Sequence, residues 1–498
     1  MSTAGFEQEA AYAVFAALLC TICWRSLGTW CGYRWLTAPA SNHITEHQTP
    51  FVILLPALRE QGLVDDTLTH FAALEYPHDL FRVVIVATAR EREEREVWRA
   101  TLDAYAIRLY GAEVTACASD FLSGHLPEAV VEKLLHQREA MNLAAFKSAV
   151  LHEFAVLGTT SDQVRAKLAA YAPLVTLTEA PSRWRYKAGQ VRYAIESLDE
   201  LLGDWPLIGA CRYVAVYDFD GRPASDSLRR ASEAAGGGAP LLQQPGLTVP
   251  MGKLRGRFAT LDGQLHSRFA LRLELWMRLV DRPLRRLGSR VGTLLDSSMH
   301  TVGNGLFIDR TQLAALGGIP SPVDDLALGW RAADTGQRVS LVRAVVYYDA
   351  YRSRREAAHS RAFICQGYLL ALRDPLRLPH NRRVARGIHR LRVGARLLQW
   401  TYGPLLRLLL LALLAVRVPA LATVALVMSY GGYLFDTRLV QRLWRVLPRD
   451  GTQGKSPGSS WVTGPVALLW YGEGARRAVW TARRGQPVSA TTTTKTER

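Results

Sequence analysis

Runs of apolar residues long enough to cross a membrane stand at both ends of this chain. Ala10 to Trp24 is almost unbroken, and past Arg25 the apolar character resumes through Leu27, Trp30, Cys31, Tyr33, Trp35 and Leu36. A bilayer core needs about 20 apolar residues in a helix. The segment of about 10–36 meets that length when Arg25 reaches the interface beside Trp24, Trp30 and Trp35. The rival reading is a cleaved signal, but residues 1–10 carry Glu7 and Glu9 and no basic residue, so the positive start of a signal is missing. A retained helix is the expectation. Near the other end, Leu397 to Val416 is apolar apart from Gln399 and Arg407. Val418 to Phe435 carries no charge, and Arg417 and Pro419 lie between the two runs, as a hairpin turn requires.

Charge gives these runs a direction. The chain has 61 Lys and Arg against 44 Asp and Glu, a formal +17. The excess sits beside the apolar runs, which points to membrane lipid and not to nucleic acid as its partner. Arg373, Arg377, Arg382, Arg383, Arg386, Arg390, Arg392 and Arg396 precede the hairpin, and residues 437–498 hold 11 basic against 3 acidic residues. Cytoplasmic loops carry such an excess, so both flanks belong in the cytoplasm and an even number of crossings joins them. A single tilted helix would export the basic tail. Trp461–Tyr471 is too short to span and reads as interfacial, and Ser489–Arg498, rich in Thr, reads as disordered. Six cysteines in 498 residues exclude a disulfide scaffold, and no Cys/His set has zinc spacing. The expected organisation is a helix and linker over 1–46, a cytoplasmic domain over 47–371, and a basic region, hairpin (about 397–416 and 418–435) and tail over 372–498.

The body between the runs alternates strands with helices. Phe51–Leu55 and Val83–Val86 are short all-apolar runs of the kind buried on both faces of a parallel sheet. Arg212–Tyr217 and Arg338–Tyr347 read as two further strands, Asp65–Leu74 and Ser225–Ala235 as helices after strands. The fold class is α/β, doubly wound. Residues 125–170 lack strand signals and read as a helical insertion. His266–Asp281 reads as an amphipathic helix ended by Pro283, with Phe269, Leu273, Trp276 and Val280 on one stripe. It faces either the core or a membrane surface.

Chemistry enters at Val216-Tyr217-Asp218-Phe219-Asp220-Gly221. Residues i and i+2 of a strand point to one side, so Asp218 and Asp220 bring two carboxylates together at the end of a buried strand. Two close carboxylates are costly without a cation, and a hard ion, Mg²⁺ or Mn²⁺, suits one or two carboxylates plus phosphates. A polar turn is the plain alternative. A second acidic pair, Asp324-Asp325, opens an amphipathic helix ahead of Gly329-Trp330-Arg331, where helix capping is the plain alternative. Between the two pairs lie Gln243-Gln244-Pro245 and Gly303-Asn304-Gly305, whose glycines let backbone approach a ligand. No P-loop, zinc-protease or serine-hydrolase motif is present.

The order of these motifs resembles glycosyltransferase family 2, in its membrane branch of cellulose synthase-like and hyaluronan synthase-like enzymes. The resemblance runs over about residues 50–370 and the flanking helices. Pro56-Ala57-Leu58-Arg59-Glu60 stands for the family's opening Pro-Ala-x-Asn-Glu, Lys187-Ala188-Gly189 for its Lys-Ala-Gly, and Asp218 with Asp220 for its Asp-x-Asp. Gln243 to Pro245, Gly303 to Gly318, and Asp324-Asp325 with Gly329 to Arg331 follow in the family's order. The resemblance implies a GT-A fold and an inverting transfer from a nucleotide sugar, a UDP-sugar foremost, to a glycan or lipid acceptor. It implies a metal on Asp218 and Asp220, and Asp325 as general base. It places Glu60, Lys187, Asp218, Gly303, Asn304, Gly305, Asp324 and Gln366 against substrate. It also implies a multi-pass protein of the bacterial inner-membrane type with its catalytic domain in the cytoplasm, serving polysaccharide or glycolipid synthesis. Two departures stand out. The second strand ends Val86-Ala87-Thr88-Ala89-Arg90-Glu91, without the family's base-contacting Asp, leaving Glu91, Glu93 or Glu94 as substitutes. After Gln366 come Gly367, Tyr368, Leu369 and Leu370, so the Arg-Trp of processive members is missing and single transfer is expected. A polyprenyl phosphate acceptor and an inactive glycan-binding scaffold are the competing readings.

Overall fold

The computed structural model describes residues 3–38, 48–111, 126, 128–184, 186–250, 257–275, 279, 301–320, 324–334, 337, 339–351, 353–373, 383–447 and 472–483. In chain order the main elements are α1 (Thr3–Thr37), β1 (Phe51–Pro56), α2 (Val64–Ala72), β2 (Phe81–Thr88), α3 (Ala89–Arg99), α4 (Leu102–Tyr110), α5 (Glu128–Gln137), α6 (Leu143–Leu157), β3 (Val175–Ala180) and α7 (Tyr186–Glu196). There follow β4 (Tyr213–Val216), α8 (Ser227–Ala235), β5 (Leu241–Gln243), β6 (Gly246–Val249), α9 (Arg257–Phe269) with a π-helical turn (Ala270–Leu275), and β7 (Leu306–Asp309). The last are α10 (Asp324–Asp334), β8 (Val339–Leu341), β9 (Val346–Asp349), α11 (Arg354–Arg373), α12 (Arg383–Arg417), α13 (Pro419–Val446) and α14 (Glu473–Arg483). The chain divides into two compact units, one of residues 1–46, 223–305 and 325–489, the other including 47–222 and 306–324.

The second unit is built on a sheet whose strands run β3-β2-β1-β4-β7. The first four are parallel, with Leu54 facing Val84 on one side and Val216 on the other; β7 joins β4 antiparallel. Every residue of β1 is buried, which is why its run is apolar without alternation. Phe51 meets Phe307 edge-on at 5.6 Å, and Phe71 of α2 meets Tyr217 at 5.6 Å, closing the core on one side of β4. Between β2 and β3 the helices α4, α5 and α6 bury Tyr105, Leu109, Val131, Phe146 and Phe154 against one another. This helical pack opens with α3 at Ala89, ahead of the stretch 125–170 expected from composition.

The first unit holds the long helices. Among the described residues two are long and apolar enough to cross a membrane, Glu7–Thr37 and Leu397–Arg417, with mean hydropathies of 1.6 and 1.5. The third expected run lies in α13, where Pro419–Phe435 is uncharged before Asp436 and the helix continues to Val446 as a charged segment. Ala11 and Leu18 of α1 pack with Leu414 of α12 and Ala422 and Ala425 of α13. Further along, Leu36, the π-turn residues Leu271 and Leu275, and Val440, Leu443 and Trp444 form a second cluster with Leu247 of β6. In this unit β5 pairs parallel with β8, and β6 with β9.

Two expected elements come out differently. The strand expected over 338–347 is two strands, β8 and β9, because the chain bends between Val342 and Val345 and moves from β5 to β6 as partner. The helix expected over 266–281 begins nine residues earlier, at Arg257, and turns π-helical after Phe269. Trp276, Val280, Pro283, Pro322, Val323, Trp461–Tyr471 and Ser489–Arg498 lie outside the described residues.

Candidate active site

Open parallel sheets bind ligands beyond the carboxyl ends of their strands, where strand order reverses. In the second unit that point is between β1 and β4, since β2 and β3 follow one side of β1 and β4 takes the other. Pro56–Glu60 leaves the end of β1, and Asp218 and Asp220 follow the end of β4 by two and four residues. Tyr217 still pairs with β1, its N–H donating to the Leu54 carbonyl at 3.1 Å. Beyond it the chain leaves the sheet as a tight turn closed by Gly221 N–H on the Asp218 carbonyl at 2.8 Å. Thr67 of α2 donates to the Phe219 carbonyl at 2.8 Å, and Arg222 Nη1 donates to the carbonyls of Phe219 and Gly221. Asp220 is buried and Asp218 half-buried. Burial lowers the Arg222 guanidinium, while Asp66 and Glu60 oppose the shift.

Lys187 and Asp218 come together. Lys187 Nζ donates to Asp218 Oδ1 at 2.7 Å, and each side chain is 29% exposed, so the pair faces the open edge of the sheet. The helix carrying Lys187 is pinned by Gln190, one turn on, whose Nε2 donates to the carbonyls of Ala57 and Val86, each at 2.9 Å. Glu60 is 3% exposed, and its N–H donates to Thr160 Oγ1 at 2.9 Å. Among the described residues two non-glycine positions adopt left-handed backbone, Arg59 with φ 63° and Tyr186 with φ 69°. Each immediately precedes a candidate residue, Glu60 or Lys187, and strain of this kind concentrates where a side chain must be aimed.

The acids after β2 are engaged within the protein. Glu91 is buried and accepts from the N–H and hydroxyl of Thr160, from Gln61 Nε2 and from the N–H of Arg59. Burial pushes its carboxyl up, and those hydrogen bonds with Arg95 pull it part of the way back. Glu94 holds Arg59 and Arg90, and Glu93 holds Ser182. Helix α3 starts at Ala89, directly after β2, and sets Glu91 and Glu94 against Arg59 and Gln61 in the loop that carries Glu60.

In the first unit the glycine loop and the second acidic pair meet. Asp325 Oδ2 accepts from Gly303 N–H at 2.9 Å, its Oδ1 from Leu326 N–H at 2.7 Å, and its carbonyl from Thr301 Oγ1. Gln243 Oε1 accepts from Val302 N–H at 2.8 Å, and its Nε2 donates to the carbonyls of Gln244, Asn304 and Gly305. Gln244 Nε2 ties Ser227 Oγ and the Val345 carbonyl. Gly305 has φ 74°, and a Cβ there would stand 2.8 Å from Gln244 Cβ. Of Asp324, the first residue of α10, only the backbone is described. Gln366 is half-buried on α11. Beside it Tyr368 stacks edge-on with Trp330 of α10 at 5.8 Å and lies 6.0 Å from Trp400 of α12. The sequence singled out none of Thr67, Gln190 or Arg222 as site residues; Gln243 and Gln244 stood in a motif, and their adjacency before Pro245 was the available signal.

No family model matches the chain, and no curated protein matches it. Among solved structures, the mannosyltransferase PcManGT from Pyrobaculum calidifontis in complex with GDP-Man and Mn²⁺ is similar at 15% identity and a TM-score of 0.42, covering 94% of this chain and 99% of that one. TarS residues 1–349 from S. aureus in complex with UDP-GlcNAc is similar at 11% identity and a TM-score of 0.32, covering 88% and 93%. These neighbours are glycosyltransferases at low identity, and scores this low carry no argument about the present chain.

Proposed function

We propose that the chain is an inverting glycosyltransferase that moves a sugar from a nucleotide-diphosphate sugar to an acceptor hydroxyl at the cytoplasmic face of a membrane, one transfer at a time. The observation that carries this reading is Asp218 and Asp220, with Lys187 on Asp218, set just past β4 where the sheet order reverses. Two carboxylates and no thiol or imidazole are a hard donor set that fits Mg²⁺ or Mn²⁺. Among the described residues no three His, Cys, Asp or Glu side chains gather into a metal set. On an ion held by Asp218 and Asp220, diphosphate oxygens and water would complete the shell. When bound, the ion neutralises the diphosphate and acts as a Lewis acid on the leaving group.

In this reading Glu60 and Lys187 line the nucleotide, Lys187 lending its charge to the phosphates. Gly303, Asn304, Gly305, Asp324 and Gln366 face the substrate. Asp325 accepts the proton of the acceptor hydroxyl as it attacks the anomeric carbon opposite the departing diphosphate. A single displacement of this kind inverts the anomeric configuration. Both Asp325 oxygens accept main-chain N–H groups, and each has a second acceptor position, so orientation by Gly303 and Leu326 is compatible with proton transfer. The same two bonds favour the competing reading, in which Asp325 only anchors a helix in an inactive scaffold.

Paired substitutions separate the two. Asp325→Asn keeps size and removes the proton acceptor, so turnover per folded molecule should fall by about 10²–10⁴ while UDP affinity in Mn²⁺ persists. Asp220→Asn should lose the Mn²⁺-dependent part of that affinity. Near-normal turnover of folded Asp325→Asn excludes it as the base, and unchanged affinity of Asp220→Asn reduces the Asp-x-Asp to a turn. No turnover of the unmutated protein with any nucleotide sugar would favour the scaffold.

A further inference from the structure

In the first unit, arginines from three other helical segments and one carboxylate lie near Arg25 of α1. Arg25 of α1 lies within electrostatic reach of Arg268 of α9, Arg272 of the π-turn, Arg407 of α12 and Asp436 of α13. Arg407 is also within reach of Arg268. Arg268 is 7% exposed and Asp436 2%. Arg268 Nη2 donates to Asp436 Oδ2 at 3.2 Å, and its guanidinium carbon stands 4.5 Å from the ring centre of Tyr433. Its Nε and Nη1 are buried and have no hydrogen-bond partner among the described residues. Asp436 is the single acid among the electrostatic neighbours of Arg25.

The helices that carry these arginines pack closely. A Cβ on Gly32 would meet the Leu271 carbonyl at 2.9 Å, and one on Gly432 would meet Ile22 and Ser26 at 3.1 and 3.2 Å, so α1 packs closely on both the π-turn and α13. Like charges held at short range in an apolar bundle are costly unless an anion joins them. A buried guanidinium with two unused donor groups presents the fork that matches phosphate oxygens. Asp436 directly follows the uncharged run of α13, and Leu405, Leu408 and Leu409 on α12 leave apolar surface exposed. Basic pockets between membrane helices take lipid headgroups for these reasons.

We propose that Arg25, Arg268 and Arg407 form a binding site for the phosphate group of a membrane lipid. The inference rests on the membrane reading of α1, α12 and α13 and not on sugar transfer.

The test uses the full chain in neutral detergent, without any sugar donor, and reads equilibrium binding of farnesyl phosphate and of farnesol. Farnesyl phosphate should bind more tightly than farnesol. Arg25→Gln and Arg407→Leu should each weaken it by about tenfold or more and leave farnesol unchanged. Arg407→Leu puts hydrocarbon in a membrane helix, so it keeps the test possible where removal of Arg268 would strand Asp436. Asp436→Asn, which removes the competing carboxylate, should tighten binding. Equal affinity for alcohol and phosphate, or affinity unchanged in both arginine variants, would overturn the site. Displacement by millimolar inorganic phosphate as effective as by the lipid would assign the arginines to a free anion and overturn the lipid. Since no donor is present, a failure here is distinct from a failure of the transfer reaction.

Discussion

At the residue scale, carboxylates of similar sequence context have different partners. Asp218 takes a lysine at the open edge of the sheet, whereas Glu91 is enclosed by main-chain donors and a threonine. Asp262 shows what full enclosure does. It is buried, held by Arg361 and by His266 Nδ1 at 3.2 Å. Burial alone pushes its carboxyl up, but His266, Arg361 and the Tyr351 backbone outweigh that and hold it below the ordinary aspartate value. A depressed folded value means the stability it contributes is present above the unfolded value and is lost as pH falls through the folded one. The loss should therefore fall below about pH 4. Asp262→Asn should be less stable at pH 7 by about 3–5 kcal/mol, since it leaves Arg361 buried without its carboxylate. The gap from the unmutated protein should narrow below about pH 4. Melting of both proteins across that range is the measurement, and a constant gap would show that the charge on Asp262 is not what stabilises the fold.

At the scale of elements, the glycine loop is held by two adjacent buried amides and one carboxylate. Gly305 combines positive φ with a close approach to Gln244, while Gly318 has φ 75° and nothing within 4 Å of a Cβ. Gly318→Ala should cost only the conformational strain, roughly 1–3 kcal/mol. Gly305→Ala adds a steric clash worth roughly a further 1–3 kcal/mol. Thermal melts of the two variants compare the terms directly; equal losses would mean that Gln244 yields and the loop is not clamped. The bend between β8 and β9 belongs to this scale too. The stretch Val339–Tyr347 is apolar apart from Ser340 and Arg343, and although Arg343 stands in the bend, which strand each half pairs with is settled by β5 and β6, about a hundred residues earlier.

For the whole molecule, the proposed topology places the N-terminus outside and both the 47–396 region and the tail after Phe435 in the cytoplasm, from the distribution of arginine. Among the described residues two helices have the length and composition to cross, and the proposed topology takes the uncharged part of α13 as the return. Reporter fusions placed after Phe435 should show a cytoplasmic phenotype. An external one would remove the hairpin and leave α12 and α13 without a common membrane passage.

The sequence by itself determined the α/β class, the position of three of the parallel strands, the helix following each of two strands, and the two membrane-length helices. All of these are written in local patterns, runs buried on both faces and apolar stretches of fixed length; the two-residue strand period expected to align Asp218 with Asp220 does not reach them, because β4 ends at Val216 and the chain turns at Asp218–Gly221. Even β3 was missed, since Val175–Ala180 mixes threonines and a glutamate into its pattern of burial. Only the tertiary structure decided what each polar side chain touches. Lys187 finds Asp218 across 31 residues, Val302 finds Gln243 across 59 and Thr160 finds Glu91 across 69. Such pairs leave no periodic trace, because their partners are chosen by how helices and strands close over one another after local structure has formed. For that reason Glu91 could be read as a stand-in for a nucleotide contact until the packing of α3 enclosed it, and nothing in the sequence related Arg25 and Arg268 until the helices brought both toward Asp436.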